Sequence, residues 1–426
     1  MAKLVIFSFI CIVFINYSYL YAEIIKAITM ELAIYTLTSE LHDEQAINDA
    51  TKEFLDSLEV PYQLKGDDFS DFGTHVFDVI YIRTGGTESL FESLFPQLRE
   101  QSTGPFLLLA SGKHNSLPAS LEIMYFLRLN GEIGEILHGS PEDIRSRLEE
   151  LEKPREVKWK IKGCRLGIIG EPSDWLISSV YDPQAIRRRL GIELVEIPMQ
   201  TLLQTIAETP LPEPSFSSPN EKVQKALPGA EQIYLALKRV VQDYQLQGFT
   251  LRCFDLLTAV HNTGCLALAR LNSEGIVAGC EGDVPALLSM VIAKAVSGYA
   301  GFQANPSNID PLTGNVVFAH CTIPLNMVER YELDTHFESG IGVGVRGFMK
   351  DFAPITLFKT DGTLTRAAIY EGVVMKNLSE PDLCRTQFQV LLLGCHDYFL
   401  DKPIGNHHII IPGKHEYLLK ELLKII

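Results

Sequence analysis

The chain has 426 residues, 46% hydrophobic and 21% charged, which is the composition of a folded globular protein. It is too long for one hydrophobic core, so we expect two or three domains. Its formal net charge of −16 repels phosphate backbones and anionic lipid, which argues against nucleic acid and membrane surfaces as partners.

The first 29 residues differ in character from the rest. One lysine precedes an apolar run from Leu4 to Ile15, as in a signal peptide or a short anchor, but Leu20 makes a cut after Ala22 unfavourable. A convincing first strand begins directly after Met30, in "MELAIYTL". We therefore predict that residues 1–29 are a hydrophobic leader or an upstream extension outside the working fold.

The cysteines point to a reducing compartment. Eight of them are scattered through the chain, and no two form a C-x-x-C pair. They are typical of reduced thiols used as small core residues. We expect a cytoplasmic protein, or an exported or membrane-tethered one if the leader is used.

Residues 30–155 are predicted to form a first α/β domain. "LAIYTL" precedes a helix from about Asp43 to Leu58, and "VFDVIYIRT", "PFLLLAS" and "IGEILHG" are each followed by a helical pattern. Such alternation is typical of a parallel, doubly wound, Rossmann-like sheet. The charged stretch "EELEKPREVKWKIKG" is predicted as a linker.

Residues 156–325 are predicted to form a second α/β domain of the same kind. Its strands are "RLGIIG", "IELVEIP", "FTLRCF", "GIVAGC" and "VVFAHC", and "GAEQIYLALKRVVQDYQ" is a long helix. Residues 326–426 read as short antiparallel strands, "GIGVGVRGFM", "APITLFKT", "TRAAIYEGVVM" and "NHHIIIPG", with turns such as "TDGT" between them. One helix, "TQFQVLLLGCHDYFL", is predicted among them, in a small C-terminal β-barrel.

Two carboxylates, Glu281 and Asp283, stand where a buried strand meets a buried helix in "IVAGCEGDVPALLSM". Burying an ionised carboxylate costs several kcal/mol unless a cation or hydrogen-bond donors compensate it. Asp283 is also in place to cap the helix that begins at Val284. Glu281 has no such structural explanation and is the stronger functional candidate.

Other polar residues follow apolar strands, where ligands bind in α/β sheets. They are Asn305, His320, and the adjacent His407 and His408, of which only one can face a given site. With the carboxylates they form a mixed oxygen and nitrogen set suited to Mn²⁺, Mg²⁺, Co²⁺ or Zn²⁺. The alternatives are a turn at Asn305, which precedes a proline, and a hydrogen-bonded core position for His320.

Two further clusters are candidates for contacts with sugar hydroxyls. Lys113, His114 and Asn115 follow the strand "PFLLLAS", where helix capping by Ser116 is the alternative. His336 in "THFESG" borders the predicted barrel.

Six stretches of the chain carry a family resemblance. In chain order they are "LARLNSEGIVAGCEGDVPALLSMVIAKAVSG", "FQANPSNID", "VVFAHCTIP", "GVGVRGFMKDFAPITLF", "EGVVM" and "GNHHIIIPGKH". With them the chain resembles the L-fucose isomerase/L-arabinose isomerase superfamily over nearly everything after Met30. The resemblance implies two α/β domains, a C-terminal barrel, Mn²⁺ (or Mg²⁺ or Co²⁺) and a homo-oligomer, a trimer or hexamer. It implies that Glu281 is a metal ligand and proton-transfer group, with His407 and His320 as ligands. His408 is the fallback ligand or a substrate contact.

The chain departs from the family pattern at Asn305, which stands where the resemblance implies a second acidic ligand, 24 residues after Glu281. An amide oxygen can bind a metal but cannot take a proton. Either Asp283 supplies the missing carboxylate, or the chemistry is altered.

We therefore expect a metal-dependent aldose–ketose isomerase acting on a pentose or 6-deoxyhexose through an enediolate. Glu281 would be the base and Asp283 a supporting acid, and Asn305 a further ligand. The alternatives are a non-catalytic sugar-binding protein on this scaffold, and a metal-dependent lyase or epimerase.

Overall fold

The computed structural model describes residues 30–42, 44–392 and 394–426. Within them the chain divides into two compact units, one ending at Glu156 but including Ile425–Ile426, and one of residues Val157–Lys424. The predicted leader, residues 1–29, lies outside the described residues. Among the helices that the structure describes, none combines the length and hydropathy needed to cross a membrane.

The first unit contains a five-stranded parallel sheet. Its strands are β1 (Leu32–Leu37), β2 (Tyr62–Gly66), β3 (Phe77–Ile82), β4 (Phe106–Ala110) and β5 (Gly134–Leu137), and its helices include α1 (Glu44–Ser57), α2 (Glu88–Gln101) and α3 (Ser116–Leu129). The strand order is β2-β1-β3-β4-β5, with all neighbours parallel. β1, β3 and β4 are buried along their whole length, as expected for strands covered on both faces. The predicted alternation of strands and helices is confirmed.

The stretch predicted as a linker contains the boundary between the two units, at Glu156 and Val157, and it is helical. Helix α4 (Pro141–Ile161) includes all but the last two residues of "EELEKPREVKWKIKG". Ile144, Leu148 and Leu151 are buried at helical spacing and form one apolar stripe, and Val157 and Ile161 are buried near the end of the helix. The high charge of the exposed face hid this stripe.

The second unit contains a four-stranded parallel sheet with the topology of a Rossmann-like domain. Its strands are β6 (Arg165–Ile169), β7 (Glu193–Ile197), β8 (Gly248–Leu251) and β9 (Val277–Cys280), in the order β7-β6-β8-β9. The helices are α5 (Pro183–Leu190), α6 (Met199–Glu208), α7 (Glu221–Asp243), α8 (Cys253–Val260), α9 (Cys265–Ser273) and α10 (Val284–Ser297).

The second unit also contains the predicted antiparallel barrel, so the fold class is confirmed. The strands of the barrel are β10 (Phe302–Asp310), β11 (Asn315–His320), β14 (Pro354–Thr360), β15 (Ala367–Asn377), β16 (Thr386–Leu392) and β17 (His408–Pro412). They close in the order β10-β11-β16-β15-β14-β17. A separate hairpin of β12 (Arg330–Asp334) and β13 (Gly344–Phe348) forms a two-stranded sheet. A 3₁₀ turn (Leu325–Met327) and helices α11 (His396–Asp401) and α12 (Glu416–Lys424) complete the described elements.

Two assignments of elements differ from the sequence-based predictions. "VVFAHC" is not a strand of the second α/β sheet, because it forms β11 of the barrel beside β10, so two barrel strands precede residue 326. "TQFQVLLLGCHDYFL" is not one helix: it forms strand β16 and then, after a turn, α11. Phe388, Val390 and Leu392 are buried on alternate positions, a period of two that the dense apolar run concealed.

Aromatic side chains fill part of the barrel core. Phe302 of β10 and Phe388 of β16 are fully buried, and their ring centroids lie 5.4 Å apart. Removing either ring leaves a cavity that the closed sheet cannot collapse.

Phe388→Ala should therefore lower the free energy of unfolding by about 3–5 kcal/mol, through lost burial and the remaining cavity. Phe352, whose side chain is 71% exposed, is the matched control. Phe352→Ala should change the free energy of unfolding by less than about 0.5 kcal/mol. Urea unfolding followed by circular dichroism measures both. Equal losses in the two variants would contradict the barrel packing described here.

Candidate metal centre

The junction between β9 and α10 holds Glu281 in an unusual backbone conformation. Glu281 has φ = +65° and is followed by Gly282 at φ = +71°. A non-glycine residue at positive φ is strained and persists only where surrounding contacts fix it. A Cβ on Gly282 would lie 2.7 Å from the carbonyl oxygen of Glu171, so only glycine fits here. The turn thus directs the Glu281 side chain inward from the carboxyl end of β9.

Three side chains from distant parts of the second unit converge at this turn. One ligand atom each from Glu281, His320 and His407 lies within 4.8 Å of the other two. Oε1 of Glu281 is 3.4 Å from Nε2 of His407 and 3.7 Å from Nε2 of His320. Glu281 directly follows β9, His320 is the last residue of β11, and His407 directly precedes β17. Glu281 is 9%, His320 5% and His407 0% exposed.

Asp283 supports the group without belonging to it. One carboxylate oxygen, Oδ1, accepts the N–H of Ala286 and so caps α10, as the capping alternative expected. The other, Oδ2, is 2.8 Å from Nδ1 of His407. A carboxylate on one nitrogen of an imidazole fixes the tautomer and leaves the other nitrogen free to bind a metal.

A buried lysine completes this chain of charges. Nζ of Lys359, on β14, lies 3.8 Å from Oδ2 of Asp283, and both side chains are almost fully buried. Burial would raise the pKa of Asp283, but Lys359 and His407 outweigh that effect and lower it. Burial lowers the pKa of Lys359, and the nearby Asp283 opposes that effect. Asp283 is therefore compensated by protein groups alone.

Glu281 is compensated by the two imidazoles and by an indole. Burial alone would raise the pKa of Glu281, yet His320 and His407 hold it well below its usual range. Oε2 of Glu281 accepts a 2.7 Å hydrogen bond from Nε1 of Trp175, in the loop after β6. The glutamate is therefore a carboxylate at neutral pH.

The donor set fits a divalent cation. Nε2 of His407 is buried and, within the described part of the chain, has no hydrogen-bond partner, although it faces the carboxylate. Burial lowers the pKa of His407, but Asp283 and Glu281 raise it to about 9. A cation would take the place of that proton and give Nε2 a partner. One carboxylate and two imidazoles form a mixed oxygen and nitrogen set that suits Mn²⁺, Co²⁺ or Zn²⁺.

A cavity opens onto this group and brings in further predicted residues. Asn305 and His336 line it together with Glu281 and His320. Oδ1 of Asn305 is buried, with no hydrogen-bond partner among the residues described, so it is free to contact a ligand. Nδ1 of His336 lies 3.0 Å from Oγ of Ser339. Burial lowers the pKa of His336 to about 4, so its imidazole is neutral at pH 7.

The remaining predicted residues lie elsewhere. Both ring nitrogens of His408 are engaged inside the barrel, Nε2 with the hydroxyl of Tyr398 at 2.7 Å and Nδ1 with the carbonyl of Asn406 at 2.8 Å. Of the adjacent pair it is therefore His407 that reaches the group. Lys113, His114 and Asn115 are exposed in the first unit, between β4 and α3.

The described cysteines are free thiols, as expected. Several of them line the same cavity, and Sγ of Cys253 lies 2.7 Å from Sγ of Cys280. This clustering could not be predicted from spacing, because the thiols come from separate elements.

Sequence reasoning missed Trp175 and Lys359. Trp175 lies in a loop without periodicity, and its only signal is its position just beyond the carboxyl end of β6. Lys359 had a clearer signal: it is a single charge within the apolar strand "PITLFKT".

Part of the chain is similar to proteins described as sulfoquinovose isomerases. The chain is 23% identical over 238 residues to a sulfoquinovose isomerase of Priestia aryabhattai, covering 53% of this chain and 52% of the relative. It is 23% identical over 219 residues to that of Alkalicoccus urumqiensis, covering 49% of each. It is also 23% identical over 198 residues to that of Clostridium sp. (strain MSTE9), covering 43% and 44%. The chain thus spans about half the length of the curated relatives it matches, and no family model matches it.

Cation affinity should depend on pH through His407. Its pKa of about 9 means that it is protonated at pH 7 in the metal-free protein, and a ligand imidazole must be neutral. Mn²⁺ affinity should therefore rise between pH 6.5 and 9, by up to about ten-fold per pH unit, and then level off. Isothermal titration in two buffers of different ionisation enthalpy measures both the affinity and the released proton.

Asp283→Asn is the matched variant for this measurement, since an amide keeps the shape but removes the charge that raises the pKa of His407. Its pH dependence should be shallower than that of the wild type. An affinity independent of pH in the wild type would contradict the assignment of His407 as a ligand.

Proposed function

We propose that this chain is a cation-dependent aldose–ketose isomerase of the fucose/arabinose isomerase type, acting on a small sugar. The observation that carries the proposal is the convergence of Glu281, His320 and His407 at the carboxyl end of a parallel strand. The resemblance to sulfoquinovose isomerases over about half the chain supports it independently.

In this proposal the three side chains hold Mn²⁺ or a similar cation, which, when bound, stabilises negative charge on two adjacent sugar oxygens. Glu281 moves a proton between C2 and C1 of the open-chain sugar. The proton leaves C2 for the carboxylate, which gives an enediolate, and then returns to C1, while a hydroxyl proton shifts from O2 to O1. No other reactant is consumed, because substrate and product are isomers.

The oxygens of Glu281 are suited to two tasks. Oε1 faces the two imidazoles, and Oε2 points to Trp175. A carboxylate oxygen has two lone pairs, so Oε2 can accept the indole N–H and still take a proton. Asp283, with both oxygens engaged, would position His407 rather than exchange protons with the substrate.

The remaining predicted residues have supporting roles in the proposal. Asn305 and His336 line the cavity and would contact the sugar or, for Asn305, the cation. Lys113, His114 and Asn115 would hold sugar hydroxyls in a homo-oligomer, a trimer or hexamer. The substrate class we favour is a pentose or 6-deoxyhexose, and the similarity to sulfoquinovose isomerases adds sulfoquinovose to the sugars to be tested.

A non-catalytic sugar-binding protein is the second candidate, because the group contains one carboxylate and Asn305 is an amide. Such a protein would bind sugar but transfer no proton.

Incubation of the protein with Mn²⁺ and a panel of these sugars in D₂O distinguishes the isomerase from the non-catalytic sugar-binding protein. The enzyme should incorporate deuterium at C1 or C2 of the product, measured by NMR. Glu281→Gln should reduce exchange at least about 1,000-fold, because an amide cannot accept the proton.

Glu332→Gln, the same change at an exposed glutamate, should leave the exchange rate unaltered. Sugar binding without exchange across the whole panel would favour the second candidate. Exchange that survives in Glu281→Gln would show that the base is another residue.

A further inference from the structure

Trp175 contacts the centre of the candidate site but has no assigned role. Its indole Nε1 donates to Oε2 of Glu281 over 2.7 Å, although the two residues are 106 positions apart. Indole is a donor only, so this oxygen must be the acceptor. The indole N–H therefore fixes the orientation of the carboxylate.

The loop that carries Trp175 is seated on the turn that carries Glu281. The backbone N–H of Ser173 donates to the carbonyl oxygen of Glu281 over 3.0 Å. Glu171 and Pro172 occupy the space that a side chain on Gly282 would need. The loop therefore contacts Glu281 both at its backbone and at its side chain.

The loop is itself held by charged and aromatic contacts. The guanidinium of Arg252 donates to the carbonyl of Pro172 at 2.6 Å and to Oδ2 of Asp174 at 3.1 Å. The rings of Trp175 and Phe254 meet edge to face, with centroids 4.9 Å apart. The indole is therefore fixed on one side although Trp175 is 52% exposed.

These contacts give the two carboxylate oxygens of Glu281 different partners. Oε1 is nearest to the two imidazole Nε2 atoms, while Oε2 is held by the indole. A carboxylate free to rotate would offer either oxygen, or both, to a cation. With the indole bond in place, only Oε1 faces the imidazoles.

We propose that Trp175 is a positioning residue, whose N–H holds Glu281 so that Oε1 binds the cation and Oε2 faces the reacting sugar. The inference rests on the proposed function for its catalytic consequence, but its effect on cation binding does not depend on turnover.

The first test compares two identical substitutions. Trp175→Phe keeps the contact with Phe254 but removes the N–H, and should weaken Mn²⁺ binding at least about ten-fold, because a hydrogen bond to a charged group is lost. Trp159→Phe, in α4, is the control and should stay within about two-fold of the wild type. Isothermal titration measures the affinities, and circular dichroism confirms that both variants are folded.

The second test uses the fact that the chain has two tryptophans. In Trp159→Phe, all tryptophan fluorescence comes from Trp175, and Mn²⁺ should quench it along the same curve as binding. Adding Glu281→Gln to this variant should abolish the saturable quenching. A spectroscopic response at this residue is not expected of a side chain that only stabilises the fold.

Mn²⁺ affinity in Trp175→Phe within two-fold of the wild type would overturn the inference, as would bound Mn²⁺ that leaves Trp175 fluorescence unchanged. If the wild type isomerises a sugar and Trp175→Phe does so equally well, the inference fails and the proposed function stands. If Trp175→Phe loses Mn²⁺ but the wild type exchanges no deuterium, the inference stands and the isomerase proposal fails.

Discussion

The site in the second unit depends on how the negative charges of two buried carboxylates, Glu281 and Asp283, are compensated where β9 meets α10. Asp283 is neutralised by the protein itself, through the N-terminus of α10, His407 and Lys359. Oε1 of Glu281 lies 3.4 Å from Nε2 of His407 and 3.7 Å from Nε2 of His320, and an indole N–H holds its Oε2. Nε2 of His407 is buried without a hydrogen-bond partner among the described residues, and a cation would give it one. The burial of charged side chains at this junction is also the reason to expect a metal there.

The architecture of the unit brings these groups together. The parallel sheet delivers Glu281 at the carboxyl end of β9, and the closed barrel brings His320 and His407 to the same point from β11 and from the residue before β17. The barrel therefore does more than end the chain, since it supplies both imidazoles. The left-handed conformation of Glu281 and the glycine that follows it let the loop from β6 approach closely enough to place Trp175.

The parallel sheets and the barrel could be predicted, because period-two strands and helical stripes are local signals. The grouping of Glu281 with His320 and His407 was expected from polar residues at strand ends together with the family resemblance. Alternation shows only that one of His407 and His408 faces the site, and the preference for His407 came from the family resemblance. Trp175 was missed because a loop has no periodicity and its partner is 106 residues away. The prediction of a helix over the residues of β16 was wrong, because a dense apolar run is compatible with both the helical period of about 3.6 and the strand period of two. The structure added the engagement of both Asp283 oxygens, which favours a positioning role over that of a substitute acid.

Anomalous diffraction from crystals soaked in Mn²⁺ locates a bound ion directly, without reference to any sugar. We expect one strong peak about 2.0–2.3 Å from Oε1 of Glu281 and from Nε2 of both His320 and His407, with Oε2 still hydrogen-bonded to Trp175. Mn²⁺ bound only elsewhere, or crystals of the soaked protein with no anomalous peak between these three side chains, would contradict it.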